Sequence, residues 1–270
     1  MMYEEPYKWV EAVGNRRQYL DEQFKQGSPV VGLAYDGGIV LLTVSKGTPK
    51  LYEIYDRLAL GGMGHPADLE KLRFNLLEMA HVEGFNRSPS DVTGSRMVKY
   101  GIAPVIKQAF EEVFKAPFIV KILLAELGTK AGKETFLAIN YDGTFEEGGR
   151  CAVLAATKAV ELEMMKSLQR EPENRSLADA VGAALRAWAL GDRLQREAVD
   201  AETDREHQPS TNASSTDVSA LYAHVRATVA EKTIECAVLD RGQSGSSKYR
   251  ALTPDELGRL VPKDVQSSLS

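Results

Sequence analysis

Cysteine is scarce in this sequence, with only Cys151 and Cys236 among 270 residues. Two thiols do not make a disulfide framework, and no CxxC or Cys/His spacing offers a zinc site. Both lie in apolar stretches and read as reduced core residues of a cytoplasmic protein. Long hydrophobic runs are missing too. The most apolar stretches are Ile39 to Val44 and Phe118 to Leu127, the second interrupted by Lys121 and Glu126. Neither approaches the roughly 20 residues of a membrane helix. Nor is there an excess of positive charge. Lys plus Arg is 33 against 38 for Asp plus Glu, a net charge of −5. That balance carries no footprint for nucleic acid or for an anionic membrane. Met1 to Tyr7 is acidic and polar where a secretory leader would be basic and then apolar. A dinucleotide fingerprint is also lacking. Gly61-Gly62-Met63-Gly64 does not have GxGxxG spacing and reads as close backbone packing where a strand crosses to a helix. No cofactor and no metal are expected.

What is present is a core-forming composition, 43% hydrophobic and 26% charged, long enough for one large domain or two small ones. Residues 6 to 26 read as a helix. Pro6 suits its first turn, and Trp9, Val13, Leu20 and Phe24 share one face. Val30 to Tyr35 and Ile39 to Val44 are β-rich runs joined by Asp36-Gly37-Gly38, a hairpin signal. Leu51 to Arg57 and Leu58 to Met63 form a second pair. Ala67 to Val82 predicts a helix stopped by Gly84. Asp91 to Lys115 predicts another, divided or kinked by Pro104, with Met97, Val105, Ala109 and Val113 inside. Strands follow at Phe118 to Glu126, Thr135 to Asn140 and Cys151 to Ala156, then helices at Thr157 to Leu168 and Ser176 to Leu190. Residues 199–217 are polar and read as a flexible loop. A helix over 218–230, a strand over Thr233 to Leu239, a short helix over Pro254 to Leu260 and a polar tail complete the chain.

Strands in runs and helices in pairs predict two sheets packed face to face and covered by helices on both sides. That order resembles a proteasome α subunit of the bacterial, actinobacterial type. The pieces that carry the resemblance are Val30-Val31-Gly32-Leu33-Ala34-Tyr35 before the Gly37-Gly38 turn, Lys50-Leu51-Tyr52-Glu53-Ile54-Tyr55-Asp56-Arg57, Val92-Thr93-Gly94, Tyr141-Asp142-Gly143 and Ala237-Val238-Leu239-Asp240. The resemblance implies an α+β fold, the four-layer αββα sandwich of the N-terminal nucleophile hydrolases, with an extra N-terminal helix. It implies a gate segment over 1–7, one domain over 8–262 and a polar tail over 263–270.

It also implies partners: other α subunits in a seven-membered ring, catalytic β subunits, a ring-shaped AAA+ ATPase or other activator, and unfolded protein substrates. Met1, Met2, Tyr3, Glu4, Glu5, Pro6 and Tyr7 would form the gate. Trp9, Val13, Leu20 and Phe24 would be ring contacts on the helix that lines the ring face. Lys50, with Gly64 and His65 as the wall, would form the pocket that receives an activator's C-terminal carboxylate. Taken without the resemblance, Lys50 is a solvated lysine at a strand edge and His65 an ordinary surface histidine.

Catalytic members of the family expose a nucleophile as their own first residue, released by cutting after a glycine, and use the free α-amine as base. Gly27-Ser28 offers that pattern, with Lys50 as the supporting lysine, so an active hydrolase is the alternative. Three features favour an inert subunit. Pro29 constrains the backbone directly after Ser28. Thr43-Val44-Ser45 stands where an active subunit carries an acid. Residues 6 to 26 read as a folded helix instead of a disposable leader.

Overall fold

The computed structural model describes residues 6–112, 114–173, 175–203 and 217–266. Helix α1 (Pro6–Phe24) leads into strands β1 (Val30–Tyr35), β2 (Gly38–Ser45), β3 (Leu51–Tyr55) and β4 (Leu58–Gly64). Helix α2 (Pro66–Asn86) follows, then α3 (Gly94–Arg96), a π-helical segment (Met97–Ile102) and α4 (Ala103–Glu111). Strands β5 (Val120–Glu126), β6 (Thr135–Ile139), β7 (Phe145–Gly148) and β8 (Cys151–Leu154) precede helices α5 (Lys158–Gln169), α6 (Leu177–Thr203) and α7 (Val218–Val229). The chain continues through β9 (Thr233–Asp240), β10 (Tyr249–Ala251), α8 (Pro254–Leu260) and α9 (Lys263–Gln266).

The strands form two antiparallel sheets, in the orders β10-β9-β2-β1-β8 and β3-β4-β5-β6-β7. Period-two alternation explains the layering. Along β2, Val40, Leu42 and Val44 pack with α5, α6 and α7, while Ile39 and Leu41 face the other sheet. Along β5, Leu123 and Ala125 face inward, and Ile122 and Leu124 meet α2 and the helices after it. A sheet buried on both faces needs apolar residues at every position, which is why β2 lacks the usual polar alternation. The result is a four-layer αββα sandwich, as the element order anticipated.

The differences from the sequence reading have local causes. Gly84 does not stop α2. It lies inside the helix where Tyr55 crosses, and a Cβ there would come within 2.2 Å of the tyrosine oxygen. The π-helical segment before Pro104 shifts the helical phase. Val98, Ile102, Ile106 and Phe110 therefore point inward, and Val105 is exposed. Met97 is buried as expected, Ala109 is half-buried, and Val113 lies outside the described residues. Strands β7 and β10 were not anticipated. Helix α6 runs on to Thr203, so 199–203 are helical and not loop, and 204–216 lie outside the described residues. The tail begins with α9, whose Val265 is buried, and 267–270 lie outside the described residues. Among the described residues no helix is long and apolar enough to cross a membrane.

Candidate functional site

The turn between α1 and β1 places Ser28 inside the sandwich, 7% exposed. Its oxygen accepts the indole N–H of Trp188 at 3.0 Å and lies 3.5 Å from the hydroxyl of Thr43. Thr43 in turn donates to the carbonyl of Pro29 at 2.7 Å. Gly27 is held as firmly. Its N–H donates to the Phe24 carbonyl at 2.8 Å, and its carbonyl accepts from the Gln195 side chain at 2.7 Å. In a catalytic member the base is the α-amine freed by cleavage, so the side chains around Ser28 report how it is packed. Among the described residues the partners of Ser28 Oγ are an indole and a hydroxyl, neither of which is a base. The structure does not bring Ser28 and Lys50 into contact through a hydrogen bond.

Lys50 stands at the start of β3. Its carbonyl accepts from Gly62 N–H at 2.9 Å, which fixes it against β4. Its own N–H donates to Glu235 Oε2 at 2.8 Å. Two phenols hold the residues on either side, since Tyr52 donates to the Pro49 carbonyl at 2.6 Å and Tyr249 to the Leu51 carbonyl at 3.2 Å. The side chain is half-buried. Burial pushes its ammonium below the ordinary lysine range, Glu235 opposes that shift, and Lys232 adds to it. Among the described residues its Nζ has no hydrogen-bond or ion-pair partner. A partly desolvated ammonium without a partner is suited to an incoming carboxylate.

Gly64 ends β4 opposite Val120 and has φ +128. A Cβ there would fall 2.0 Å from the carbonyl oxygen of Ile119. The glycine is thus required by the chain's own β5, a nearer reason than the approach of a foreign chain. His65 is exposed. Its N–H donates to Ile119 O at 2.7 Å, and its Nδ1 accepts from Ala67 N–H at 3.3 Å, capping α2.

Helix α1 borders this region. Leu20 and Phe24 are fully buried in the chain's own core, as the periodicity implied, so they are not the ring contacts expected of them, and Val13 is half-buried against the same core. Trp9 is 47% exposed and Val10 70%, so Trp9 does not share the buried face within one chain. Phe24 stacks on Tyr141 with ring centroids 5.8 Å apart, and Tyr141 donates to Asp21 at 2.8 Å. Of the gate residues, Pro6 and Tyr7 open α1, while Met1, Met2, Tyr3, Glu4 and Glu5 lie outside the described residues.

Two charged residues here escaped sequence reasoning. Lys121, the second residue of β5, donates to the carbonyls of Ala155 at 2.7 Å and Ala156 at 3.2 Å, with Glu161 3.6 Å away. Its signal was a lysine inside an apolar strand. Glu235 takes Ser45 Oγ on one oxygen and the Lys50 N–H on the other. Its signal was a carboxylate in the series Glu235, Ala237, Leu239, whose apolar members face the inter-sheet core.

Comparison with known proteins bears on the family of the chain as a whole. The family model described as "Proteasome subunit" matches residues 24–203. A protein named "Proteasome subunit alpha" from Thermomonospora curvata is 30% identical over 203 residues, covering 72% of this chain and 86% of the relative. One of the same name from Saccharopolyspora erythraea is 30% identical over 184 residues, covering 67% and 70%. Another, from a Nocardioides species, is 26% identical over 253 residues, covering 92% and 84%. With the four layers of the fold matched across two thirds of its length, the chain belongs to the proteasome subunit family, and within that family it is the α subunits that it resembles.

Proposed function

We propose that this chain is a non-catalytic structural and gating α subunit of a 20S-type proteasome core. The carrying observation is the setting of Gly27-Ser28: the Ser28 hydroxyl is buried and takes the Trp188 indole N–H, and Gly27 before it is held through both its N–H and its carbonyl. A chain of this fold without an activated nucleophile contributes architecture. It assembles with copies of itself into a seven-membered outer ring, and that ring stacks on catalytic β subunits in the cytoplasm. The exposed first turns of α1, with Trp9 and Val10, support a ring contact there. The segment Met1 to Tyr7 closes the axial opening to unfolded protein. Lys50, with Gly64 and His65 on the adjoining strand end, receives the C-terminal carboxylate of a ring-shaped ATPase.

The test is the intact mass of the chain purified together with its β partner. The full-length mass is expected. A mass corresponding to residues 28–270, with Ser28 as the free terminus, would replace this reading with an active hydrolase that uses Ser28 and Lys50.

A further inference from the structure

We infer that Glu235 is the positioning residue of Lys50, holding the lysine's backbone at the entry to β3 while leaving its ammonium unpaired. The inference rests on the reading of Lys50 as the docking cation. Strand pairing sets the geometry. Thr43 lies opposite Glu235 and Ser45 opposite Thr233, so the Glu235 side chain emerges where β2 ends. There it closes the β2–β3 connection from both sides. Ser45, the last residue of β2, donates to Oε1, and the N–H of Lys50, the residue before β3, donates to Oε2. The intervening residues 46–49 are exposed. Without the carboxylate, Lys50 would keep its carbonyl bond from Gly62 N–H and lose the bond that holds its own N–H.

The carboxylate's second effect is electrostatic. Each of its oxygens already takes a donor, and no ion pair with Lys50 Nζ forms among the described residues. Its charge nevertheless acts on the ammonium without an ion pair. The charges that act on Lys50 are Glu235 on β9 and Lys232 just before that strand. Glu235 favours the protonated amine, and both burial and Lys232 disfavour it. Glu235 therefore keeps Lys50 charged without occupying it, and an incoming carboxylate meets a ready cation.

The test reads Lys50 directly on the assembled particle, by competitive acetylation with acetic anhydride across pH 7–11. The midpoint comes from the mass of the peptide containing Lys50. Glu235→Gln keeps the shape and removes the charge, so the midpoint should fall by about one pH unit. Glu235→Asp keeps the charge and should hold the midpoint within about half a unit. An unchanged midpoint in Glu235→Gln would overturn the inference. An equal fall in both variants would do so too, because it would report lost shape and not lost charge. Hydrogen exchange at the Lys50 amide supplies a second readout, slow in the parent and at least about tenfold faster in Glu235→Ala. If Lys50→Ala leaves activator stimulation intact, the docking reading fails while the acetylation result stands. If Lys50→Ala abolishes stimulation and Glu235→Gln leaves the midpoint unmoved, only the present inference fails.

Discussion

The indole N–H of Trp188 donates to the hydroxyl oxygen of Ser28 at 3.0 Å, across 160 residues of sequence. Trp188 is fully buried in the middle of α6, and its bond ties the helical layer to the start of β1. A serine at this place can thus be structural, filling the one polar need of a buried indole.

Ser28→Ala should leave the peptidase activity of the assembled particle unchanged. It strands the Trp188 N–H in the core, at a cost of about 1–3 kcal/mol. Thermal unfolding of the isolated chain and peptide turnover by the assembled particle check the two halves. A large loss of turnover with assembly intact would count against the inert role.

Lys50→Ala should abolish stimulation by a ring ATPase and preserve assembly and basal peptide cleavage. Truncating one partner of a desolvated charge pair costs about 2–5 kcal/mol. A ring of such sites adds through effective concentration, so losing all of them together is severe. Stimulated and basal cleavage, measured on one preparation, decide the matter.

Deleting Met1 to Tyr7 should speed degradation of an unfolded protein and change the hydrolysis of short peptides little. The segment carries no apolar periodicity to join the core. Equal rates before and after deletion, with the assembly verified, would remove the gate from the account.

Cys236 should be inert to thiol reagents at pH 8 while the chain is folded. Burial pushes its thiol from an ordinary 9.0 up to about 12, leaving a thiolate fraction of about one part in ten thousand at that pH. The folded state retains its proton where the unfolded state has lost it. This contribution to stability is therefore whole below about pH 9 and is lost as pH rises from there toward 12. Alkylation rates in buffer and in denaturant, followed by mass, measure the contrast.

The layers were legible because both sheets are buried on both faces, and residues such as Val40 and Leu41 announce that by being apolar in succession. Helix phase was less legible. Val105 would point inward in a continuous α-helix, and the π-helical segment at Met97–Ile102 gives that place to Ile106. Strand β7, Phe-Glu-Glu-Gly, is too short and too polar to announce itself; pairing with β6 makes it a strand. At the site, Lys50, Gly64 and His65 came from the family resemblance, since neither a lysine nor a histidine at a strand end is distinctive. Glu235 could not be placed because its partners Ser45 and Lys50 meet it only after β2 and β9 are in register.

Helix α1 is clamped most firmly in its second half. The guanidinium of Arg16 grips the carbonyls of Ala109 and Phe110 at 2.9 Å, Glu112 at 3.1 Å and Lys115 at 2.8 Å, at and beyond the end of α4. Leu20 and Phe24 then sink into the core. Beyond that grip Ala12 and Val13 are still half-buried, Val13 against the core, and Pro6 to Glu11 run on for about 9 Å at the rise of an α-helix. Mechanically this is a cantilever. A sideways load on the exposed first turns bears first on Val13 and then on the Arg16 clamp, which joins the helix to the end of α4.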